Sequence, residues 1–136
     1  PVPRGAERIL LVDDEEPIVC MEKQMLERLG YDIMERTSSI EALKLFQTEP
    51  DRFDLVITDM AMPEMAGDML ARELLNLRPD IPIIVCTGYS EKINPDIVRE
   101  IGIKELAMKP VVMKEMAQAV RRAVAGGKTA DPEAES

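Results

Sequence analysis

The sequence of 136 residues contains no histidine and no tryptophan, and aromatic residues make up only 3% of it. Without an imidazole, the chain cannot build a Ser-His-Asp triad, a histidine-ligated zinc site or a phosphohistidine. Basic residues are also few, since 17 Lys and Arg stand against 26 Asp and Glu and give a net charge of −9. This charge argues against a protein that binds nucleic acid through the phosphate backbone. Any chemistry must therefore come from carboxylates, hydroxyls, lysine, backbone groups or a bound cation.

Long hydrophobic runs are absent as well. The clearest apolar stretches, residues 9–12, 55–57 and 83–85, are too short to span a membrane, and no signal-peptide pattern follows the amino terminus. Cys20 and Cys86 have no metal-binding spacing, and we expect both to be buried thiols of a cytoplasmic protein. Hydrophobic residues still make up 46% of the chain, which is enough for one folded core of aliphatic and methionine side chains.

Short aliphatic segments alternate with helical segments along the chain. Strands are predicted near residues 8–12, 31–35, 54–58, 82–86 and 104–108. A first helix, which ends at Gly30, is predicted from an apolar face of Ile18, Met21, Met25 and Leu29. Further helices are predicted to begin at Ser38, to cover residues 64–77, to run from Pro95 to a stop at Gly102, and to cover residues 112–124.

This alternation predicts an α/β fold, a single-domain doubly wound (βα)5 parallel sheet with helices on both faces. The fold is expected to occupy residues 7–125. Residues 1–6 are predicted to be a linker, and residues 126–136, which are rich in Gly, Ala and acidic residues, a flexible tail.

Polar side chains follow four predicted strands at the point where each strand ends: Asp13 and Asp14, then Asp59, Thr87 and Lys109. Ligands of open α/β sheets bind at the carboxyl ends of the strands, so we expect these groups to lie on one rim. Three carboxylates and one ammonium carry a formal charge of about −2, which a hard divalent cation such as Mg²⁺ relieves. A carboxylate beside such a cation and a lysine can attack a phosphoryl group.

These segments together make the sequence resemble the receiver domain of bacterial two-component response regulators, over about residues 7–125. The resemblance rests on residues 9–15 (ILLVDDE), residues 55–63 (LVITDMAMP) with Gly67, Thr87-Gly88, and Lys109-Pro110. It implies the flavodoxin-like strand order 2-1-3-4-5.

The resemblance also implies a role for each site residue. Asp59 matches the aspartate that accepts a phosphoryl group, and Thr87 and Lys109 match the hydroxyl and ammonium that bind its oxygens. The metal, Mg²⁺ or Mn²⁺, is expected on Asp13, Asp14, Asp59 and the backbone carbonyl of Ala61. The Lys109-Pro110 peptide bond is expected to be cis.

Two positions bear on how such a domain would signal. Leu106 stands three residues before Lys109, where the family often has an aromatic switch residue. Tyr89, two residues beyond Thr87, either shields the phosphoryl group from water or is a surface tyrosine on a loop. Our hypothesis is that phosphorylation mainly reorders the loop of residues 88–94.

The resemblance implies a signalling domain that catalyses only its own phosphorylation and dephosphorylation. Its expected partners are a histidine kinase and a downstream phosphotransfer protein, with no nucleic acid or direct membrane contact, and it is expected to be a monomer or weak dimer. Two contexts stay open: a stand-alone regulator, or the receiver of a hybrid sensor histidine kinase, which the lack of an initial methionine favours.

Two other functions fit the sequence less well. A Mg²⁺-dependent aspartyl phosphatase requires an Asp-x-Asp nucleophile on the first strand, and Asp13-Asp14 has the wrong spacing. An inert adaptor of the same fold would not need the complete set of acidic, hydroxyl and ammonium groups.

Overall fold

Five strands and five helices alternate along the chain in the computed structural model, which describes residues 2–88 and 93–126. The strands are β1 (Arg8–Val12), β2 (Asp32–Arg36), β3 (Leu55–Asp59), β4 (Ile83–Thr87) and β5 (Glu105–Met108). The helices are α1 (Glu16–Arg28), α2 (Ser39–Thr48), α3 (Gly67–Leu77), α4 (Pro95–Ile101) and α5 (Met113–Gly126). All neighbouring strands are parallel, in the order β2-β1-β3-β4-β5, which confirms the predicted doubly wound sheet.

The sheet separates two hydrophobic clusters. Alternate residues of β1 enter opposite clusters, because successive side chains of a strand point to opposite faces. Ile9 and Leu11 pack on the side of α1 and α5, whereas Leu10 and Val12 pack on the side of α2 and α3. Strands β3 and β4 are buried along their whole length, as predicted for parallel strands covered on both faces. The carboxyl ends of β1, β3 and β4 therefore meet at one rim of the sheet.

The face of α1 that contacts the core agrees in part with the predicted one, since Leu29 is 3% exposed and Met25 packs against the same hydrophobic cluster. Its buried residues are Val19, Glu22 and Leu26, whereas Met21 is 52% exposed. The prediction was wrong for Met21, because the neighbouring Glu22 and not Met21 occupies the buried face at that turn. Cys20, predicted to be buried, is exposed on α1, whereas Cys86 on β4 is buried as expected.

Helix α3 begins at Gly67 and not at residue 64 as predicted. The Gly67 amide donates to the Met60 carbonyl at 2.8 Å and closes a loop of residues 60–66 directly after β3. A Cβ atom at Gly67 would overlap the carbonyl oxygen of Asp59. Glycine is therefore required where this loop returns beside the last residue of β3.

Two predicted helix boundaries are confirmed by their caps. The Ser38 hydroxyl accepts a hydrogen bond from the Glu41 amide at 3.2 Å at the start of α2. Asn94 precedes Pro95, the first residue of α4, and its side chain accepts a hydrogen bond from the Asp96 amide at 2.8 Å. Gly102, which has a φ of 100°, ends α4. Within the described ranges, no helix has the length and apolar character required to cross a membrane.

We expect Gly67→Ala to lower the free energy of unfolding by about 1–3 kcal/mol, because the added methyl group must displace the backbone of Asp59. Chemical denaturation measures this change. Gly126→Ala is the control, because a Cβ atom at that position meets no other atom within 4 Å. Equal stability of the two variants would contradict the close approach of Gly67 to β3.

Candidate functional site

Polar side chains from three strands and the loop after β5 meet at the carboxyl rim of the sheet. Carboxylate oxygens of Asp13, Asp14 and Asp59 lie within 4.8 Å of one another. The Lys109 ammonium lies 2.6 Å from Asp59 Oδ1 and 3.8 Å from Asp13 Oδ2. Asp13 and Asp59 are buried and Asp14 is exposed, so the cluster opens to solvent on the side of Asp14.

The end of β1 holds the acidic pair in place. The Asp13 amide donates to the Arg36 carbonyl of β2 at 3.2 Å, which extends the strand pairing by one residue. Asp13 Oδ1 accepts from the Glu15 amide at 3.0 Å. The turn from β1 into α1 is therefore closed by the Asp13 side chain, while Asp14 faces outward.

Backbone hydrogen bonds align the other three strand ends. The Met60 amide, directly after Asp59, donates to the Cys86 carbonyl at 2.9 Å. The Lys109 amide donates to the Thr87 carbonyl at 2.8 Å, and this bond brings Lys109 beside the end of β4. The Lys109-Pro110 peptide bond is cis, as the resemblance implied. Thr87 is 3% exposed and lies at the end of β4, next to the strand that carries Asp59.

The electrostatics of the cluster reflect crowded negative charge. Burial raises the pKa of Asp13 to about 6, and the negative charges of Asp59 and Asp14 act in the same direction. The hydrogen bond from the Glu15 amide and the charge of Lys109 oppose this rise. Burial disfavours the charged form of Lys109, but its hydrogen bond to Asp59 and the charge of Asp13 raise its pKa above the ordinary value. The lysine is thus the cation that offsets part of the acidic charge.

The donor set fits a hard divalent cation. Three carboxylates that converge within 4.8 Å supply the oxygen ligands that Mg²⁺ prefers. Because one of the three is exposed, the cluster leaves room for water or phosphate oxygens on the metal, as a partly hydrated Mg²⁺ requires. Such a cation would favour the charged form of Asp13, whose pKa is raised first by burial and then by the negative charges of Asp59 and Asp14.

The remaining predicted residues lie around this cluster or outside the described residues. Ala61 is exposed in the loop after β3, two residues beyond Asp59. Leu106 is 37% exposed on β5, an edge strand of the sheet. Tyr89 and most of the 88–94 loop, with residues 127–136 of the predicted tail, lie outside the described residues.

Sequence reasoning missed one buried carboxylate, Glu22 of α1, which is 4% exposed. Burial raises its pKa to about 7, and the charge of Asp13 adds to this effect whereas that of Lys109 opposes it. Burial also raises the pKa of the Cys86 thiol, and the charge of Glu22 contributes to that rise. The spacing of Val19, Glu22 and Leu26 could have indicated that Glu22 is buried, because it places all three residues on one helical face.

Comparison with known proteins agrees with the family resemblance of the sequence. The profile of the response regulator receiver domain matches residues 9–121. The chain is 38% identical to the sensor kinase CckA of Brucella abortus over 87 residues, which are 64% of this chain and 9% of the kinase. It is 32% identical to the response regulator receiver protein CpdR of the same species, over 85% of this chain and 94% of that protein.

A solved structure is similar as well. The crystal structure of a response regulator receiver domain protein from Clostridium thermocellum has 32% identity and a TM-score of 0.83. The match covers 88% of this chain and 95% of that one.

We expect Glu22→Gln to stabilise the protein at alkaline pH and to change little at about pH 4. The folded-state pKa of Glu22, about 7, exceeds the ordinary 4.5, so the folded protein binds the proton more tightly. Stability is therefore lost as the pH rises from about 4.5 to 7, by up to about 3 kcal/mol, and a neutral amide avoids this loss. Urea denaturation at a series of pH values measures the effect.

The matched control is Glu27→Gln, because Glu27 lies exposed on the same helix. If both variants showed the same pH dependence of stability as the wild type, Glu22 would not be a buried carboxylate with a raised pKa.

Proposed function

This chain belongs to the response regulator receiver domain family, and we propose that Asp59 accepts a phosphoryl group from a histidine kinase in a Mg²⁺-dependent reaction. Membership makes the chain a domain of two-component signalling and not a classical enzyme. The phosphoryl donor would be the phosphohistidine of the kinase or of a phosphotransfer protein, because this chain has no histidine.

One observation carries this proposal. The buried Asp59 carboxylate lies in a cluster with two further carboxylates and 2.6 Å from the Lys109 ammonium. A structural ion pair would need only one acid. The carboxylates of Asp13 and Asp14 add negative charge that an ion pair does not need. A cation that binds there together with a phosphoryl group would account for this charge.

In the proposed reaction, a carboxylate oxygen of Asp59 forms a bond to phosphorus as the bond from phosphorus to the imidazole nitrogen breaks. The electron pair of that bond leaves with the imidazole, and Asp59 becomes an acyl phosphate. Lys109 binds a phosphoryl oxygen in place of the Asp59 carboxylate, and the Thr87 hydroxyl donates to another. Both groups stabilise the new negative charge beside the sheet.

Asp13, Asp14, Asp59 and the Ala61 carbonyl would hold the metal, Mg²⁺ or Mn²⁺. When bound, the ion supplies positive charge that neutralises the phosphoryl oxygens in the transition state. Asp14 is the exposed ligand and Asp13 the buried one, so we propose that Asp14 coordinates the ion on the solvent side.

We propose that residues 7–125 are the receiver domain of a hybrid sensor kinase in the cytoplasm. The similarity to a stretch of CckA supports this context, although the chain spans only 9% of that kinase. The similarity to CpdR, 94% of which is covered, supports a stand-alone regulator as the alternative. The free thiols of Cys20 and Cys86 fit a reducing compartment.

Incubation with acetyl phosphate and Mg²⁺ should add one acid-stable, base-labile phosphoryl group, detected by intact mass. The adduct should be lost in Asp59→Asn, because the amide cannot form the acyl phosphate, and lost when the metal is removed with a chelator. An adduct that persists in Asp59→Asn, or turnover of many phosphate esters, would overturn the proposal.

Asp14→Asn should weaken Mg²⁺ binding by about tenfold or more, since it removes one of three charged ligands. Isothermal titration calorimetry measures this affinity without any phosphoryl donor. Glu16→Gln makes the same change of net charge at an exposed position of α1 that is not part of the cluster, and should leave the affinity unchanged. Equal affinities in the two variants would exclude Asp14 as a ligand.

A further inference from the structure

The segment of residues 2–7, here called the N-terminal strap, is hydrogen-bonded to the end of α1 and the start of β2. The Gly5 amide donates to the Leu29 carbonyl at 3.0 Å, and the Asp32 amide donates to the Glu7 carbonyl at 3.0 Å. The Arg4 guanidinium donates to the Arg28 carbonyl at 2.8 Å. The sequence predicted residues 1–6 as a linker, but these bonds attach residues 4–7 to the domain.

The strap is also closely packed against the turn between α1 and β2. Gly30 has a φ of 102°, and a Cβ atom there would overlap the Gly5 carbonyl. A Cβ atom at Gly5 would in turn collide with the ring of Tyr31. Tyr31 is only 3% exposed, so the strap helps to bury an aromatic ring of the core.

Arg121 of α5 joins the strap to the last helix. Its guanidinium forms an ion pair with the Glu7 carboxylate and donates to the Arg4 carbonyl at 3.2 Å. The same guanidinium lies 5.9 Å from the centre of the Tyr31 ring, within range of a cation–π contact. One side chain thus contacts two strap residues and the ring that the strap covers.

The two ends of α5 have different attachments. Its first residue, Met113, follows Lys109 by four positions, and Lys109 pairs with Asp59. Its last turns carry Arg121, which binds the strap, and Arg122, which pairs with Glu105 of β5 at 3.0 Å. The helix therefore connects the loop of the acidic cluster with the strap.

We propose that docking of the strap and phosphorylation of Asp59 are coupled through α5, so that each weakens the other. This inference rests on the proposed function. The strap contacts belong to the arrangement in which Lys109 pairs with Asp59, and they favour that arrangement over one in which Lys109 binds a phosphoryl oxygen. Because coupling between two sites is reciprocal, a phosphoryl group at Asp59 weakens the strap to the same extent.

The first experiment tests the strap without any phosphoryl group. Amide exchange at Gly5 is measured in the wild type, Arg121→Ala and Arg122→Ala. We expect exchange in Arg121→Ala to be about fivefold faster or more, because Arg121 is hydrogen-bonded to Arg4 and Glu7 of the strap. Exchange in Arg122→Ala should match the wild type, because Arg122 pairs with Glu105 of β5.

A second variant, Glu7→Gln, removes the other partner of the ion pair and covers the case in which Arg121→Ala does not fold. Equal exchange in Arg121→Ala and Arg122→Ala would overturn the role of Arg121. If Arg121→Ala does not fold, unchanged exchange in Glu7→Gln would overturn it.

The second experiment tests the coupling with beryllium fluoride and Mg²⁺ as the phosphoryl mimic. Exchange at Gly5 should accelerate in the wild type and stay unchanged in Asp59→Asn. Arg121→Ala should bind the mimic about fivefold more tightly than Arg122→Ala, as reciprocity requires.

The outcomes separate the two ideas. If the mimic binds the wild type but the Gly5 amide does not respond, the coupling is wrong while the proposed function stands. If the wild type takes up neither the mimic nor a phosphoryl group, the proposed function fails and the coupling fails with it, whereas the first experiment still decides whether Arg121 holds the strap.

Discussion

The ion pair between Lys109 and Asp59, 2.6 Å long, is the interaction on which the rest of the site depends. A single ammonium offsets part of the charge of three carboxylates that converge within 4.8 Å. This arrangement is stable only where the protein holds each group from a separate element. The parallel sheet supplies these elements, because the carboxyl ends of β1, β3 and β4 meet at one rim and the backbone bond from Lys109 to Thr87 adds the loop after β5.

The negative charge is not confined to the rim. Glu22 lies on the buried face of α1, and burial together with the charge of Asp13 raises its pKa to about 7. The charge of Glu22 in turn contributes to the raised pKa of the Cys86 thiol. Burying a carboxylate without an ion pair costs stability unless it is protonated. The core between α1 and the sheet is therefore less stable at alkaline pH than its aliphatic composition suggests.

Helix α5 is the element that joins the site to the opposite edge of the molecule. It follows the Lys109 loop at one end, and its other end is held by Arg121 to the strap and by Arg122 to β5. The neighbouring edge strand β5 carries Leu106, 37% exposed, where the family often has an aromatic residue. Leucine has no ring that could turn between two positions, so this position does not carry the aromatic side chain that the family often has there.

The sequence by itself determined the parallel (βα)5 sheet and the composition of the site, whereas the strand order followed from its resemblance to the receiver family. Strand signals and strand-end motifs are local, so Asp13, Asp14, Asp59, Thr87 and Lys109 could be assigned to one rim, and the structure brings their elements together there. Local signals failed where a contact depends on distant residues. The start of α3 depends on the approach of Gly67 to the Asp59 carbonyl, which the helical period does not encode.

Only the tertiary structure decided which face of α1 is buried and what the first residues contact. Glu22 reads as a surface residue because charge normally indicates exposure, and packing of α1 against the sheet overrides that rule. Glu7 and Arg121 are 114 residues apart, and no sequence period relates them. Their ion pair exists because α5 packs beside the turn between α1 and β2, a proximity that arises only when the whole sheet has formed.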